Sequence, residues 1–140
     1  MSVEEVACRP ALEEDEPTVL VVEDEVLIRL MVADALRAQG INVIEASNGE
    51  EAMRVLQSAL PVQLLLTDVR MPSALDGLAL AHAARAERPD LKLIMATSQR
   101  ADDELAGLAD AFFSKPYELN AIVGRVKSLL AQTHHARRRR

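Results

Sequence analysis

The stretch "VLVVEDEVLIRL", residues 19–30, runs from an apolar segment straight into three adjacent carboxylates, Glu23, Asp24 and Glu25. The apolar segment is rich in β-branched residues and does not alternate with polar ones, which is typical of a strand buried on both faces. Like charges repel, and a carboxylate is costly to remove from water unless a cation lies beside it. The stretch therefore predicts a buried parallel strand that ends either in a solvated turn or at a bound cation.

The same change from apolar strand to amphipathic helix repeats along the chain. Strands are predicted at 18–23, 41–46, 62–68, 91–97 and 111–114, and helices at 25–39, 49–59, 77–88, 102–108 and 117–132. This alternation is typical of a doubly wound α/β domain, here a (βα)5 fold, in which helices cover both faces of a five-stranded parallel sheet. We expect one such domain over 18–132, between a flexible acidic leader (1–17) and a flexible basic tail (133–140).

Composition and charge restrict the class of protein. The 140 residues are 49 % hydrophobic with a formal net charge of −6, which suits one aliphatic core and an acidic surface. Because general nucleic-acid binding needs a basic surface, we expect none, and the arginines of 136–140 are more typical of a flexible tail. Cys8 is the only cysteine, which excludes an intramolecular disulfide. The sequence has neither an apolar run of about 18 residues nor a signal-peptide pattern, so we expect a cytoplasmic protein and no membrane partner.

Polar residues lie at or just after the ends of the predicted strands. The first strand ends in Glu23 and Asp24, the third in Asp68, the fourth in Thr97 and the fifth in Lys115. Sites in doubly wound sheets form at the carboxyl ends of the strands, so these groups should converge at one edge. Crowded carboxylates suit a hard divalent cation such as Mg²⁺, and a nucleophilic aspartate beside a metal and fixed donors is suited to accept a phosphoryl group.

Five motifs occur on these elements in a characteristic order: "VVEDE" (21–25), "LLLTDVRMP" (64–72), "DG" (76–77), "MAT" (95–97) and "SKPY" (114–117). In this combination the sequence resembles the receiver domain of bacterial two-component response regulators, which has a CheY-like, flavodoxin-like fold. The resemblance covers residues 18–132, which is nearly everything except the two terminal segments.

The resemblance implies a role for each residue that would contact the phosphoryl group. Asp68 matches the phosphoacceptor, and Thr97 and Lys115 match the hydroxyl and the ammonium that bind the phosphoryl oxygens. Phe112 matches an aromatic residue that turns inward on phosphorylation. The Lys115–Pro116 bond matches one that is cis in the family.

The resemblance also implies a Mg²⁺ (or Mn²⁺) site. Its protein ligands would be Asp24, Asp68 and the backbone carbonyl of Arg70, with Glu23 holding metal-bound water. Arg70 and Gln99 follow the phosphoacceptor and the hydroxyl-bearing residue by two positions each. They flank the path of attacking water, so we expect them either to set the lifetime of the phosphate or to be merely solvated.

The implied function is a phosphorylatable signalling switch. A histidine kinase or a histidine phosphotransfer protein would donate a phosphoryl group to Asp68, and the aspartyl phosphate would add about −1.5 to −2 of charge. The fourth helix, the fifth strand and the fifth helix would then bind a downstream protein differently. We expect a monomer or weak dimer, and no enzymatic activity beyond the protein's own phosphorylation and dephosphorylation.

The sequence departs from the family pattern at two places. The loop "MPSALDG" (71–77) has one additional residue, and the interval from Thr97 to Lys115 is about four residues shorter than the resemblance implies, roughly one helical turn. The shortening falls on the fourth predicted helix, where Gly107 and two adjacent aspartates also lower helix propensity. We therefore expect this helix to be short or partly unfolded without phosphate.

Other functions remain to be weighed. Too little chain follows residue 132 for an output domain, so we expect a single-domain receiver, which could also serve as a phosphate sink in a phosphorelay. A haloacid-dehalogenase-type phosphatase would need a second aspartate two residues after its nucleophile, where this chain has Arg70. A receiver that binds partners without phosphate is disfavoured because every residue of the site is present.

Overall fold

The computed structural model describes residues 16–71, 74–98 and 107–138, with side chains as far as residue 132. These residues form a five-stranded parallel sheet in the order β2-β1-β3-β4-β5, with four helices beside it. The elements are β1 (Thr18–Val22), α1 (Val26–Arg37), β2 (Asn42–Ala46), α2 (Gly49–Leu56), β3 (Leu64–Asp68), α3 (Gly77–Glu87), β4 (Lys92–Thr97), β5 (Ala111–Ser114) and α4 (Leu119–Arg138). The predicted doubly wound fold is confirmed.

Two of the predicted helices need comment. The helix expected to end at residue 132 continues to Arg138 as α4, because alanine and arginine favour a helix and no Gly or Pro follows to end it. The boundary drawn before the tail at 133 therefore lies inside a helix. The predicted helix at 102–108 lies outside the described residues except for Gly107 and Leu108, which are helical. The leader at 1–15 also lies outside them.

The sheet separates two aliphatic layers. Alternate residues of the central strands enter opposite layers: Leu20 and Leu65 pack beneath α2 and α3, whereas Val21 and Leu66 pack beneath α1 and α4. All residues of β1 and β3 are buried, as the continuous apolar runs predict. The central strands are therefore fixed from both faces, and so is the edge of the sheet where they end.

The strand register brings the chemically active ends together. Val22 of β1 pairs with Thr67 of β3, so the residues that follow Val22 lie beside Asp68. In the next pairs, Asp68 lies opposite Ala96 and Thr97 lies opposite Ser114. Four strands thus end at nearly the same level of the sheet.

The "DG" motif at 76–77 joins α3 closely to β3. Asp76 caps α3 by accepting a hydrogen bond from the backbone N–H of Ala79 at 3.0 Å. Gly77 approaches the sheet so closely that a Cβ atom would lie 1.7 Å from the carbonyl oxygen of Asp68. The glycine is required for this close approach, and it places the start of α3 against the main chain of the expected phosphoacceptor.

Gly77→Ala should destabilise the fold, because the added methyl group would displace backbone atoms of β3 rather than a movable side chain. We expect a loss of more than about 2 kcal/mol in the free energy of unfolding, measured by urea denaturation. Gly124→Ala in α4 is the matched control, since a Cβ there meets nothing within 4 Å. It should stabilise the protein by about 0.5–1 kcal/mol. Equal stability of the two variants would contradict the close approach.

Candidate functional site

Three carboxylates meet at the carboxyl edge of the sheet. Glu23 and Asp24 follow β1 and Asp68 ends β3, and one carboxylate oxygen from each lies within 4.8 Å of the others. Glu23 and Asp68 are only 4 % and 6 % exposed, whereas Asp24 is exposed to solvent. The cluster therefore has two buried members and one at the opening of the site.

The ammonium group of Lys115 lies between the two buried carboxylates. Its Nζ is 2.9 Å from Oδ1 and 3.0 Å from Oδ2 of Asp68, and 3.3 Å from Oε1 of Glu23. The Lys115–Pro116 peptide bond is cis, as the resemblance implies. The backbone N–H of Lys115 donates to the carbonyl oxygen of Thr97 at 2.7 Å, which ties the residue after β5 to the end of β4.

Three of the four other expected site residues lie in the described part of the chain. Thr97 is buried at the end of β4, one residue beyond Ala96, the partner of Asp68 in the sheet. Arg70 lies in the loop after β3 with an exposed side chain. Phe112 is half-buried and packs against the layer beneath α2 and α3, so its role as a switch stays a prediction. Gln99 lies outside the described residues.

A family model decides what these residues represent. The model of the response regulator receiver domain matches residues 19–127. The chain belongs to this family. Its fold is therefore that of a receiver domain.

Individual relatives give the same result. The receiver is 35 % identical over 120 residues to the probable transcriptional regulatory protein TcrX of Mycobacterium tuberculosis, covering 83 % of this chain and 50 % of TcrX. It is 34 % identical over 122 residues to the phosphate regulon transcriptional regulatory protein PhoB of Pseudomonas aeruginosa, covering 83 % of this chain and 52 % of PhoB. The chain thus spans about half the length of the curated relatives it matches.

Solved structures are similar over nearly their whole length. A CheY-like receiver domain protein from Methanospirillum hungatei has a TM-score of 0.77 at 25 % identity, covering 86 % of this chain and 98 % of that one. The response regulator TrrA from Thermotoga maritima, solved in complex with Mg²⁺ and BeF, has a TM-score of 0.73 at 30 % identity, covering 81 % and 98 %.

The donor set of this receiver fits a divalent cation. Carboxylate oxygens are the ligands that Mg²⁺ prefers, and the site offers three carboxylates against one ammonium group. Burial, followed by the hydrogen bond and the charge of Asp68, raises the pKa of Glu23 from 4.5 to about 7, although the backbone N–H of Glu25 and the charge of Lys115 oppose the shift. Burial alone would lower the pKa of Lys115, but the hydrogen bonds and charges of Asp68 and Glu23 outweigh it and raise the pKa. The site is therefore short of positive charge.

Sequence analysis missed two residues beside the receiver site. Tyr117 is half-buried and lines a small cavity together with Glu23 and Asp68, and burial followed by the charge of Glu23 raises its pKa to about 12. Arg29 on α1 donates a hydrogen bond to the carbonyl oxygen of Glu23 at 2.9 Å. Tyr117 follows Lys115 by two residues, and this closeness in sequence could have predicted its place beside the site. No local pattern indicated the contact of Arg29 with Glu23.

Glu23→Gln should stabilise the metal-free protein at pH 8 by roughly 1–3 kcal/mol. Between pH 4.5 and about 7 the folded protein keeps a proton on Glu23 that the unfolded chain has lost, so the wild type loses stability as the pH rises. Glutamine keeps the shape without the charge, and its advantage should shrink towards pH 4.5. Urea denaturation with EDTA at several pH values measures this difference. A variant less stable than the wild type at pH 8 would contradict the shift.

Proposed function

We propose that Asp68 accepts a phosphoryl group from a phosphohistidine on a histidine kinase or phosphotransfer protein, in a reaction that requires Mg²⁺ or Mn²⁺. The observation that carries this proposal is the ammonium group of Lys115, which lies 2.9 and 3.0 Å from the two oxygens of Asp68. This ammonium group can stabilise the negative charge of a phosphoryl group on Asp68, in the same cluster as Glu23 and Asp24. Membership of the receiver family supports the same reaction.

The proposed step is an in-line transfer. A carboxylate oxygen of Asp68 attacks the phosphorus atom, the P–N bond of the phosphohistidine breaks, and its electron pair leaves with the imidazole, which takes up a proton from solvent. A metal held by Asp24, Glu23, Asp68 and the carbonyl of Arg70 would neutralise charge on the phosphoryl oxygens. Lys115 would turn its ammonium towards a phosphoryl oxygen.

The Thr97 hydroxyl is well placed to bind a phosphoryl group on Asp68. Thr97 is buried at the end of the strand beside Asp68, so a small movement would bring its hydroxyl to a phosphoryl oxygen. Phe112 of β5 packs against the same aliphatic layer as Leu108 and Ala109. We propose that the movement of Thr97 allows Phe112 to turn inward, which alters the face formed by the segment before β5, β5 itself and α4, where a downstream protein binds.

Two alternative functions are less well supported. A phosphatase of the haloacid-dehalogenase type would need a general acid two residues after Asp68, and Arg70 occupies that position with an exposed side chain. A receiver that works without phosphate is disfavoured because the site keeps a lysine paired with two buried carboxylates. The use of the receiver as an output switch or as a phosphate sink, its action without an attached output domain and its cytoplasmic location stay predictions.

We propose that the donor docks beside the site over α1. Val26, Leu27, Leu30 and Met31 are exposed on the first turns of this helix, and Leu27 is 75 % exposed. The patch begins two residues after Asp24, so a protein that covers it also reaches the opening of the site. Exposed apolar patches of this kind mark protein contacts.

None of the described helices combines the length and the apolar character that spanning a membrane would require.

The whole chain, incubated with Mg²⁺ and acetyl phosphate, should gain one phosphoryl group, detected by intact mass. Asp68→Asn should gain none, because the amide has no nucleophilic carboxylate, and EDTA should prevent the gain in the wild type. Asp90→Asn is the matched control, since Asp90 is an exposed acid between α3 and β4. Continuous release of phosphate without an adduct would instead favour a phosphatase, and the absence of both reactions would favour a receiver that works without phosphate.

Leu27→Glu should slow phosphoryl transfer from a histidine kinase that phosphorylates the wild type by about tenfold or more, because a buried unpaired carboxylate opposes docking. The rate with acetyl phosphate should stay unchanged, since a small donor does not cover α1. Leu60→Glu is the control, as Leu60 is also exposed but precedes β3, at the opposite edge of the sheet. Equal slowing by both variants would exclude the α1 patch.

A further inference from the structure

Arg29 connects three parts of the structure with one guanidinium group. Its Nη1 donates to the carbonyl oxygen of Glu23 at 2.9 Å, and its Nε donates to Oε1 of Glu45 at 3.2 Å. Glu45 belongs to β2, so helix α1, the edge strand and the turn after β1 meet at this side chain. The Arg29 side chain is only 16 % exposed, so water competes weakly for these bonds.

The carbonyl oxygen that Arg29 binds belongs to the peptide between Glu23 and Asp24. Because a peptide unit is planar, fixing this oxygen also fixes the direction in which the chain enters Asp24. The preceding N–H is held as well, since the backbone N–H of Glu23 donates to the carbonyl oxygen of Ala46 at 3.1 Å. Edge strand β2 thus holds the main chain of Glu23 at both ends, at one end directly and at the other through Arg29.

Glu45 binds a second arginine in addition to Arg29. Its second oxygen, Oε2, accepts a hydrogen bond from Nη1 of Arg37 at 3.1 Å, and Nη2 of Arg37 also donates to the carbonyl oxygen of Val43 at 3.1 Å. Arg37 therefore shares the carboxylate with Arg29, and its contacts with Val43, Glu45 and Asp34 lie on β2 and on α1. The two arginines differ in one respect that matters here, which is the contact with Glu23.

We propose that Arg29 is a positioning residue for the divalent-cation site. By holding the Glu23–Asp24 peptide, it keeps an oxygen of Asp24 within 4.8 Å of oxygens of Glu23 and Asp68. This inference rests on the proposed function, in which those oxygens surround the metal. Residues that orient metal ligands through a hydrogen bond typically alter metal affinity by about 10- to 100-fold when they are removed.

The sign of the effect separates positioning from simple electrostatics. A guanidinium charge near a cation site repels the cation, so if charge alone mattered, removing Arg29 would tighten Mg²⁺ binding. If the hydrogen bond to the turn matters more, removing it frees the peptide and weakens Mg²⁺ binding. A purely structural role would lower the stability of the fold and leave the affinity unchanged.

The test is a titration of the ¹⁵N-labelled whole chain with Mg²⁺ alone, followed by NMR through the amides of 23–25, with no phosphodonor present. Arg29→Ala should raise the dissociation constant by about tenfold or more. Arg29→Lys keeps the positive charge and a hydrogen-bond donor but loses the planar guanidinium group that binds Glu23 and Glu45 at once. Its dissociation constant should therefore fall between those of Arg29→Ala and the wild type. Arg37→Ala is the matched control and should stay within about twofold of the wild type, because it leaves the bond to Glu23 intact.

The outcomes are decisive in each direction. An unchanged or smaller dissociation constant in Arg29→Ala overturns the inference, and so does equal weakening in Arg37→Ala. If Arg29→Ala does not fold, Arg29→Lys decides by the same criterion. A wild type that binds Mg²⁺ and forms the Asp68 adduct, beside an Arg29→Ala that binds equally well, overturns only this inference. A wild type that does not bind Mg²⁺ overturns the proposed function and this inference with it.

Discussion

The ion pairs of Lys115 with Asp68 and Glu23 are the interactions on which the rest of the structure depends. Leaving a buried carboxylate without its partner costs several kcal/mol, so this ammonium group offsets much of the cost of burying the two acids at the sheet edge. The pairs join residues 47 and 92 positions apart in sequence. They can form only when β1, β3 and β5 have taken their places in one sheet. The chemistry of the site and the topology of the fold therefore impose the same requirement.

This arrangement leaves the site with more negative than positive charge. One ammonium group faces two buried carboxylates and an exposed third, and burial together with the neighbouring Asp68 raises the pKa of Glu23. Local rules of burial and pairing are commonly broken at functional positions and satisfied elsewhere. Here the remainder of the core is aliphatic and closely packed on both faces of the sheet, so the fold tolerates the unfavourable charge at one edge. A divalent cation held by these carboxylates would reduce the remaining repulsion between them.

How much could be read from the sequence depended on whether the signal was local. The buried run at 19–22 and the polar strand ends were visible because each follows from a few neighbouring residues. The contact of Arg29 with Glu45 was not visible, because it depends on which strand lies beside β1. The close approach of Gly77 to Asp68 is likewise set by the packing of a helix against a strand. The missed end of α4 has a simpler reason, since no residue in that segment stops a helix.

The two residues expected to bind the phosphoryl group are also joined to each other. The backbone N–H of Lys115 donates to the carbonyl oxygen of Thr97, so the ends of β4 and β5 are coupled by a hydrogen bond of 2.7 Å. A phosphoryl group on Asp68 would draw the ammonium of Lys115 and the hydroxyl of Thr97 towards the same oxygens. Because this hydrogen bond joins their main chains, we expect the two strand ends to respond together. Phe112 lies three residues before Lys115 on β5, within the element that this hydrogen bond holds. A local change of charge at Asp68 therefore has a direct mechanical route to the surface around β5.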